Sequence, residues 1–258
     1  MRAIAAILLF SICAPSAHAF VPYSYTNGSE TLYEKWGGDN HAGTSGGIVY
    51  WSFIPKGTSG SAFCGDACPG NSGDSLQVEI SPGGGFESKT IESLEPQITA
   101  MMAEWSAVTG IRFIKLDSDS GVAINDPSAI PPTTGQIRIG VFAFAAGVGE
   151  AGVGFAPPPN GGTGAGNILF NSNDYYQFAP GNESDSYDTT HAPNDIESLI
   201  LHELGHAGVG LNHPANDGSC QVMCVEPECL GIIKRKLTPD DIAGAQFLYG
   251  EIFYDGFE

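Results

Sequence analysis

The amino-acid sequence predicts one α+β domain. Three observations support this prediction: a strand-rich half precedes a helical half, no internal repeat is apparent, and 258 residues suit a single domain. We expect a domain at 48–250, an irregular N-terminal arm at 20–47 and a short acidic and aromatic tail at 251–258. The residues between 56 and 85 are loop-like.

Short runs rich in apolar, β-branched and aromatic residues predict the strands. They lie at Ile48–Ile54, Ile111–Leu116, Gln136–Phe142, Val153–Ala156 and Asn167–Asn171. The last two flank a glycine-dominated loop that lacks the residues of a phosphate-binding motif, so we do not predict a nucleotide site.

Three segments have helical periodicity or helix-capping signals. The first runs from Ser93 to Val108 with a core-facing apolar stripe. The second starts after the capping residue Asp195 and reaches about Gly208. The third has Thr238 as its N-cap and is followed by Gly250.

The N-terminus has the pattern of an export signal. Arg2 precedes an apolar run at 3–12, and Ala17-His18-Ala19 fits a cleavage site, so the mature chain would begin near Phe20. We therefore predict a secreted or periplasmic protein that is not anchored in a membrane after cleavage. The formal net charge of −19 disfavours nucleic acid and anionic lipid as partners.

Acidic residues and cysteines add weaker signals. The turn at 117–121 could hold calcium, although a solvated turn is favoured. In an oxidising compartment we expect a disulfide between Cys64 and Cys68 and one bridge within a second cluster. The second cluster consists of Cys220, Cys224 and Cys229, and the odd number of mature cysteines leaves one outside these bridges.

The chemistry is concentrated in the second predicted helix. His202 and His206 are four residues apart and lie on one helical face, a spacing that lets both reach one zinc ion. Glu203 adjoins the first ligand and is placed to act as general base. His213 follows two glycines that can end the helix. Three histidines would leave one zinc position open for water.

These residues resemble the metzincin metallopeptidases, and among them the matrixin-like family. The resemblance rests on HELGHAGVGLNH at 202–213, Met223, LTPDDIAGAQFLYG at 237–250 and AEWSAVTGIRF at 103–113. It implies a twisted, mostly parallel five-stranded sheet with a first long helix, an active-site helix and a C-terminal helix. It also implies a monomeric zinc endopeptidase acting on protein or peptide substrates, with Met223 in a structural Met-turn.

By the same resemblance, a zinc-activated water would hydrolyse the peptide bond with Glu203 as base. An extended substrate would pair with an edge strand near Asn167, Ile168 and Leu169. The family's second, structural zinc is not expected, because residues 147–173 contain no histidine.

The spacing of the third ligand departs from the family. Six residues rather than five separate His206 from His213, which puts Asn212 in the expected ligand position. We hypothesise that a bulge or a late helix exit near Gly208 absorbs the extra residue, because Asn is a poor zinc ligand.

Two alternative functions remain open. The chain could be a catalytically silent binding protein with this fold. It could also be a zinc hydrolase whose third ligand is a downstream acid, Glu226 or Glu228.

Overall fold

A computed structural model describes most of the chain beyond the predicted signal. The described residues are 20–60, 72–73, 75–79, 86–131, 133–145, 149–159, 164–178, 194–215, 218–225, 229 and 231–251. Several predictions fall outside these ranges, namely the export signal, the Cys64–Cys68 bridge, the two acids Glu226 and Glu228, and the tail after residue 251.

Thirteen strands are present in the described part of the chain. They are β1 Val21–Pro22, β2 Ser24–Asn27, β3 Glu30–Tyr33, β4 Ile48–Phe53, β5 Ser75–Glu79, β6 Phe86–Thr90, β7 Arg112–Lys115, β8 Ile137–Phe142, β9 Gly152–Gly154, β10 Ile168–Asn171, β11 Tyr175–Gln177, β12 Asn194–Asp195 and β13 Leu211–Asn212.

The main sheet has five strands in the order β7-β4-β8-β10-β9. The first four are parallel, and β9 pairs with β10 in the antiparallel direction. All six residues of β8 are buried, as expected for a central strand covered on both faces. The predicted mostly parallel five-stranded sheet is therefore confirmed.

The three predicted helices are also confirmed. They are α1 Glu95–Thr109, α2 Ile196–Leu204 and α3 Pro239–Tyr249. The apolar stripe of α1 packs in the core, and Trp105 donates its indole N–H to the Leu201 carbonyl of α2 at 3.0 Å. This contact fixes α2 against α1.

Two expectations about irregular structure are wrong. The arm at 20–47 contains the β2–β3 hairpin, and the predicted loop at 56–85 contains β5. Strand β5 belongs to a second sheet with the order β12-β11-β5-β6. Strand β5 pairs with its sequence neighbour β6 and alternates Leu76 and Val78 with polar residues, whereas β11 and β12 lie about a hundred residues further along the chain.

The acidic turn at 117–121 is not simply solvated. The side chain of Asp119 is fully buried and pairs with the buried Arg138 guanidinium, with an Nη2–Oδ1 distance of 2.7 Å. Ser52 donates a further hydrogen bond of 2.6 Å to the same carboxylate. Asp119 is therefore an internal ion-pair partner rather than a candidate calcium ligand.

The predicted bridge within the second cysteine cluster is present. It joins Cys220 to Cys229, and the thiol of Cys224 is buried beside it. Among the described residues, no helix is long and apolar enough to cross a membrane.

Candidate metal centre

Helix α2 and the π-helical turn that continues it present two histidines and one glutamate to a common cleft. Asp195 caps this helix by accepting a hydrogen bond of 3.0 Å from the Ser198 amide. The sequence that follows is apolar on most sides, so the helix is buried, and His202, Glu203 and His206 are each at most 6% exposed. Their side chains therefore act in an environment largely shielded from water.

The extra residue between the second and third histidines is accommodated by a π turn. Helix α2 continues directly into π-helical residues Gly205–Val209, and the Gly210 amide donates to the Gly205 carbonyl five residues earlier at 3.1 Å. Gly210 then ends the helix at φ 97°, where an added Cβ would lie 2.2 Å from the Glu34 carbonyl oxygen. Only glycine fits this exit. The hypothesis of a local bulge is confirmed.

This exit brings His213 next to the two helical histidines. Its Nε2 lies 3.2 Å from that of His202 and 2.8 Å from that of His206, and the two helical Nε2 atoms are 3.2 Å apart. The neighbouring Asn212, which a strict reading of the motif would make a ligand, instead accepts a hydrogen bond of 2.8 Å from the His213 amide. The three imidazoles therefore converge.

The hydrogen bonds behind the rings determine which nitrogens face inward. His202 Nδ1 lies 2.6 Å from the Val222 carbonyl, and His206 Nδ1 lies 2.7 Å from the Leu211 carbonyl. Because a carbonyl oxygen can only accept, both Nδ1 atoms must carry the proton. The inward Nε2 atoms then present lone pairs, as in histidines that bind a metal.

The three imidazoles are neutral, so no added proton offsets the repulsion between their inward Nε2 lone pairs. Burial holds the pKa of His202 well below its usual range and lowers that of His206 to about 3, and it also lowers the pKa of His213. Three neutral nitrogens at such short separations call for a cation between them. Zinc bound tetrahedrally at about 2.05 Å would place its nitrogens roughly 3.3 Å apart, close to the observed separations. The donor set therefore fits zinc.

Glu203 has the strongly altered acidity expected of a proton-transfer group. Burial raises its pKa to about 8, although the Gly154 amide and the Lys234 ammonium oppose this shift. A Cβ added at Gly154 would lie 2.5 Å from the Glu203 carbonyl oxygen, and one at Gly152 would lie 3.1 Å from its Oε1. These two glycines let strand β9 approach the carboxylate, a function that the sequence analysis did not assign to them.

Met223 packs against Gly205, the residue before His206. It is buried, and its sulfur occupies the place that a side chain on Gly205 would take, 2.2 Å from the position of the missing Cβ. The turn that carries it is held by Asp241, whose carboxylate accepts from the amides of Val222 at 3.1 Å and Met223 at 3.4 Å. The turn at Val222 and Met223 is thus tied to the start of α3.

Comparison with known proteins agrees with this arrangement. The sequence profile of the matrixin family matches residues 85–250. This chain belongs to the matrixin family. It is also similar to metalloendoproteinase 2-MMP of Arabidopsis thaliana, with 27% identity over 167 residues that make up 62% of this chain and 38% of that protein. The chain therefore spans well under half of that relative's length.

The matrixin match leaves out the N-terminal arm, yet the arm contributes to the site. Tyr23 lines the cleft, and its hydroxyl lies 3.3 Å from His206 Nδ1. Strand β1 pairs with β13, which leads into the third histidine. Trp36 donates its indole N–H to the Ala207 carbonyl within the π turn at 2.9 Å. Sequence periodicity gave no signal for these long-range contacts.

The cleft beside the histidines has a volume of about 980 Å³. Its described lining combines the site residues with strand β9 and with apolar side chains. These are Tyr23, Phe144, Gly149, Glu150, Ala151, Gly152, Val153, Gly154, Phe155, Leu169, Asn194, Leu199, His202, Glu203, His206, His213, Val225 and Lys234.

The predicted substrate-pairing strand requires a correction. Strand β10 is paired on both sides, so Asn167, Ile168 and Leu169 do not lie at the sheet edge. Leu169 lines the cleft, whereas Asn167 accepts from the Arg138 amide at 3.3 Å. The edge strand on this side of the main sheet is β9, which pairs antiparallel with β10 on its outer side.

Proposed function

We propose that this chain is an exported zinc-dependent endopeptidase, with His202, His206 and His213 as the zinc ligands and Glu203 as the general base. The observation that carries the proposal is the convergence of three neutral Nε2 atoms beside a buried carboxylate in an open cleft. Three protein ligands leave a fourth tetrahedral position for water, as a catalytic rather than a structural zinc requires.

Zinc, when bound, activates a water molecule and polarises the scissile carbonyl. Glu203 accepts a proton from the attacking water and delivers it to the leaving amine. Burial favours this proton transfer because it raises the pKa of the carboxylate to about 8 and so makes it a stronger base than an exposed glutamate. The positive charge of a nearby divalent ion would lower that pKa again. Strand β9 lies close against the carboxylate, because Gly152 and Gly154 carry no side chains.

An extended substrate pairs with β9 in this proposal. The Ala151 carbonyl and the Phe155 amide are bonded to β10 and its neighbours, at 2.8 and 2.9 Å. By the alternation of an antiparallel ladder, Gly152 and Gly154 direct their backbone groups away from β10, to the open edge of the sheet. Main-chain pairing at this edge would hold peptides of many sequences.

The test measures zinc content and casein cleavage on mature protein, with and without a chelator. We expect about one zinc per chain and cleavage that the chelator abolishes. Glu203→Gln should retain zinc and lose at least about a hundredfold in rate, since general-base catalysis contributes that much or more. Glu104→Gln, on the exposed side of α1, serves as the matched control.

Each alternative function corresponds to a distinct result. Full zinc content without cleavage of any protein would favour the silent binding protein. Full zinc and activity in His213→Ala would contradict the ligand assignment and direct attention to Glu226 and Glu228. Export is tested separately, by mass determination of the mature N-terminus, which should begin at Phe20.

A further inference from the structure

Lys234 brings a positive charge into the cleft. It ends a 3₁₀ turn at Ile232–Lys234, lines the cleft and is within electrostatic reach of Glu203 and all three histidines. The other charged residues of the described lining are the carboxylates Glu150 and Glu203. Lys234 is thus the one ammonium in the described part of the cleft wall.

Protein groups satisfy this ammonium only in part. Its Nζ donates one hydrogen bond of 2.8 Å, to the Cys224 carbonyl. No salt bridge joins it to a carboxylate in the described ranges of the chain. An ammonium has three N–H donors, so two remain to be directed elsewhere. Burial lowers the pKa of Lys234, which shows that the surroundings do not fully replace its hydration.

The nearby carboxylates offset the charge of Lys234 only in part: Glu203 and Asp241 attract its ammonium, but neither forms a salt bridge with it among the described residues. The three histidines are neutral, and a divalent cation among them would add positive charge. Glu203 is required as a proton acceptor. A ligand that enters the cleft with a negative charge would therefore gain an attraction that a neutral ligand lacks, and partial desolvation strengthens that attraction.

Resting on the proposed peptidase function, we infer that Lys234 makes the cleft selective for substrates that place a carboxylate beside the scissile bond. The carboxylate comes either from an aspartate or glutamate side chain or from a free chain terminus. In both cases the carboxylate accepts hydrogen bonds from the two N–H groups of Lys234 that do not bond to the Cys224 carbonyl. Lys234 is a specificity-determining residue in this scheme and takes no part in proton transfer.

The experiment uses matched fluorogenic peptides and the zinc-loaded full chain. One pair carries Glu or Gln at each position flanking the scissile bond, with an amidated C-terminus. A second pair carries Gln throughout and differs only in a free or amidated terminus close to that bond. Each pair is assayed with wild type, Lys234→Met, Lys234→Glu and Lys234→Arg. The exposed neighbour Lys236→Met is the matched charge control.

We expect wild type to favour the carboxylate peptide of one pair by about tenfold or more in kcat/KM, as for a hydrogen bond to a charged group. Lys234→Met should bring the ratio near one, and Lys234→Glu should invert it. Lys234→Arg and Lys236→Met should retain it. The responding pair identifies the source of the carboxylate.

A ratio near one in wild type for both pairs would overturn the inference, as would an unchanged ratio in Lys234→Met. Equilibrium binding of the same peptides to zinc-loaded Glu203→Gln separates the two proposals. If wild type cleaves nothing, the peptidase proposal fails, and a Lys234-dependent difference in binding still supports the carboxylate position. Equal binding of charged and neutral peptides would then refute it.

Discussion

Asp241 links the C-terminal helix to the zinc site, and its replacement should affect both stability and metal binding. Its carboxylate is 2% exposed and accepts from the Thr238 amide and hydroxyl at 2.9 and 2.7 Å, which completes a capping box. It also accepts from the amides of Val222 and Met223. The Val222 carbonyl in turn accepts from His202 Nδ1.

We expect Asp241→Ala to lower the free energy of unfolding by about 2 to 4 kcal/mol, because it removes part of a helix cap and leaves a buried amide unsatisfied. The turn at Val222 would loosen, and zinc affinity should fall by about tenfold, the lower end for a change in the support of a metal-binding histidine. Asp240→Ala at the same helix end leaves the capping box intact and should cost less, about 1 kcal/mol, the scale of a charged group at a helix end.

Unfolding is measured in urea with chelated protein, and zinc affinity by competition with a chromophoric chelator. Equal stability losses in the two variants would refute the assigned role of the carboxylate. A large loss of stability in Asp241→Ala with wild-type zinc affinity would refute the connection through the turn.

Two further predictions address the cleft and the core. Gly154→Ala should reduce kcat/KM for a peptide at least about tenfold with zinc content retained, because the added Cβ would press on Glu203. Gly149→Ala, which has open space around the added Cβ, is the control in the same assay. Asp119→Asn should destabilise the protein by about 3 to 5 kcal/mol in urea unfolding, because it breaks a buried ion pair. The exposed Asp117→Asn should change stability by less than about 0.5 kcal/mol.

The sequence predicted those parts of the structure that short-range chemistry controls. Thr238 caps α3 as expected because a capping box is encoded within four residues. His202 and His206 meet because helical spacing alone places them on one face. The spacing of His213 was irregular, yet glycine-rich flanks and the poor chemistry of Asn as a ligand were sufficient to predict that its ring would reach the others.

The parts that the sequence did not predict depend on partners far along the chain. The alternation of Leu76 and Val78 with polar residues is a strand signal that was overlooked, but the pairing of β5 with β11, roughly a hundred residues away, has no local signal. Asp119 was interpreted as a solvated turn residue because its buried ion-pair partner, Arg138, lies on strand β8 and not near it in the sequence. Lys234 received no role from its sequence context, because its place in the cleft wall depends on the fold.

The π turn explains how an additional residue can be present without disturbing the helical ligands. The additional residue follows His206, so the spacing of the two helical histidines is unaffected. The π turn accommodates it before Leu211, where strand β13 begins. Gly210 ends the turn against the Glu34 carbonyl, and strand β13 then pairs with β1. Both restraints come from the N-terminal arm, which lies outside the region matched by the matrixin family. The position of His213 therefore depends on the arm as much as on the motif, and in this chain the arm is a structural part of the metal centre.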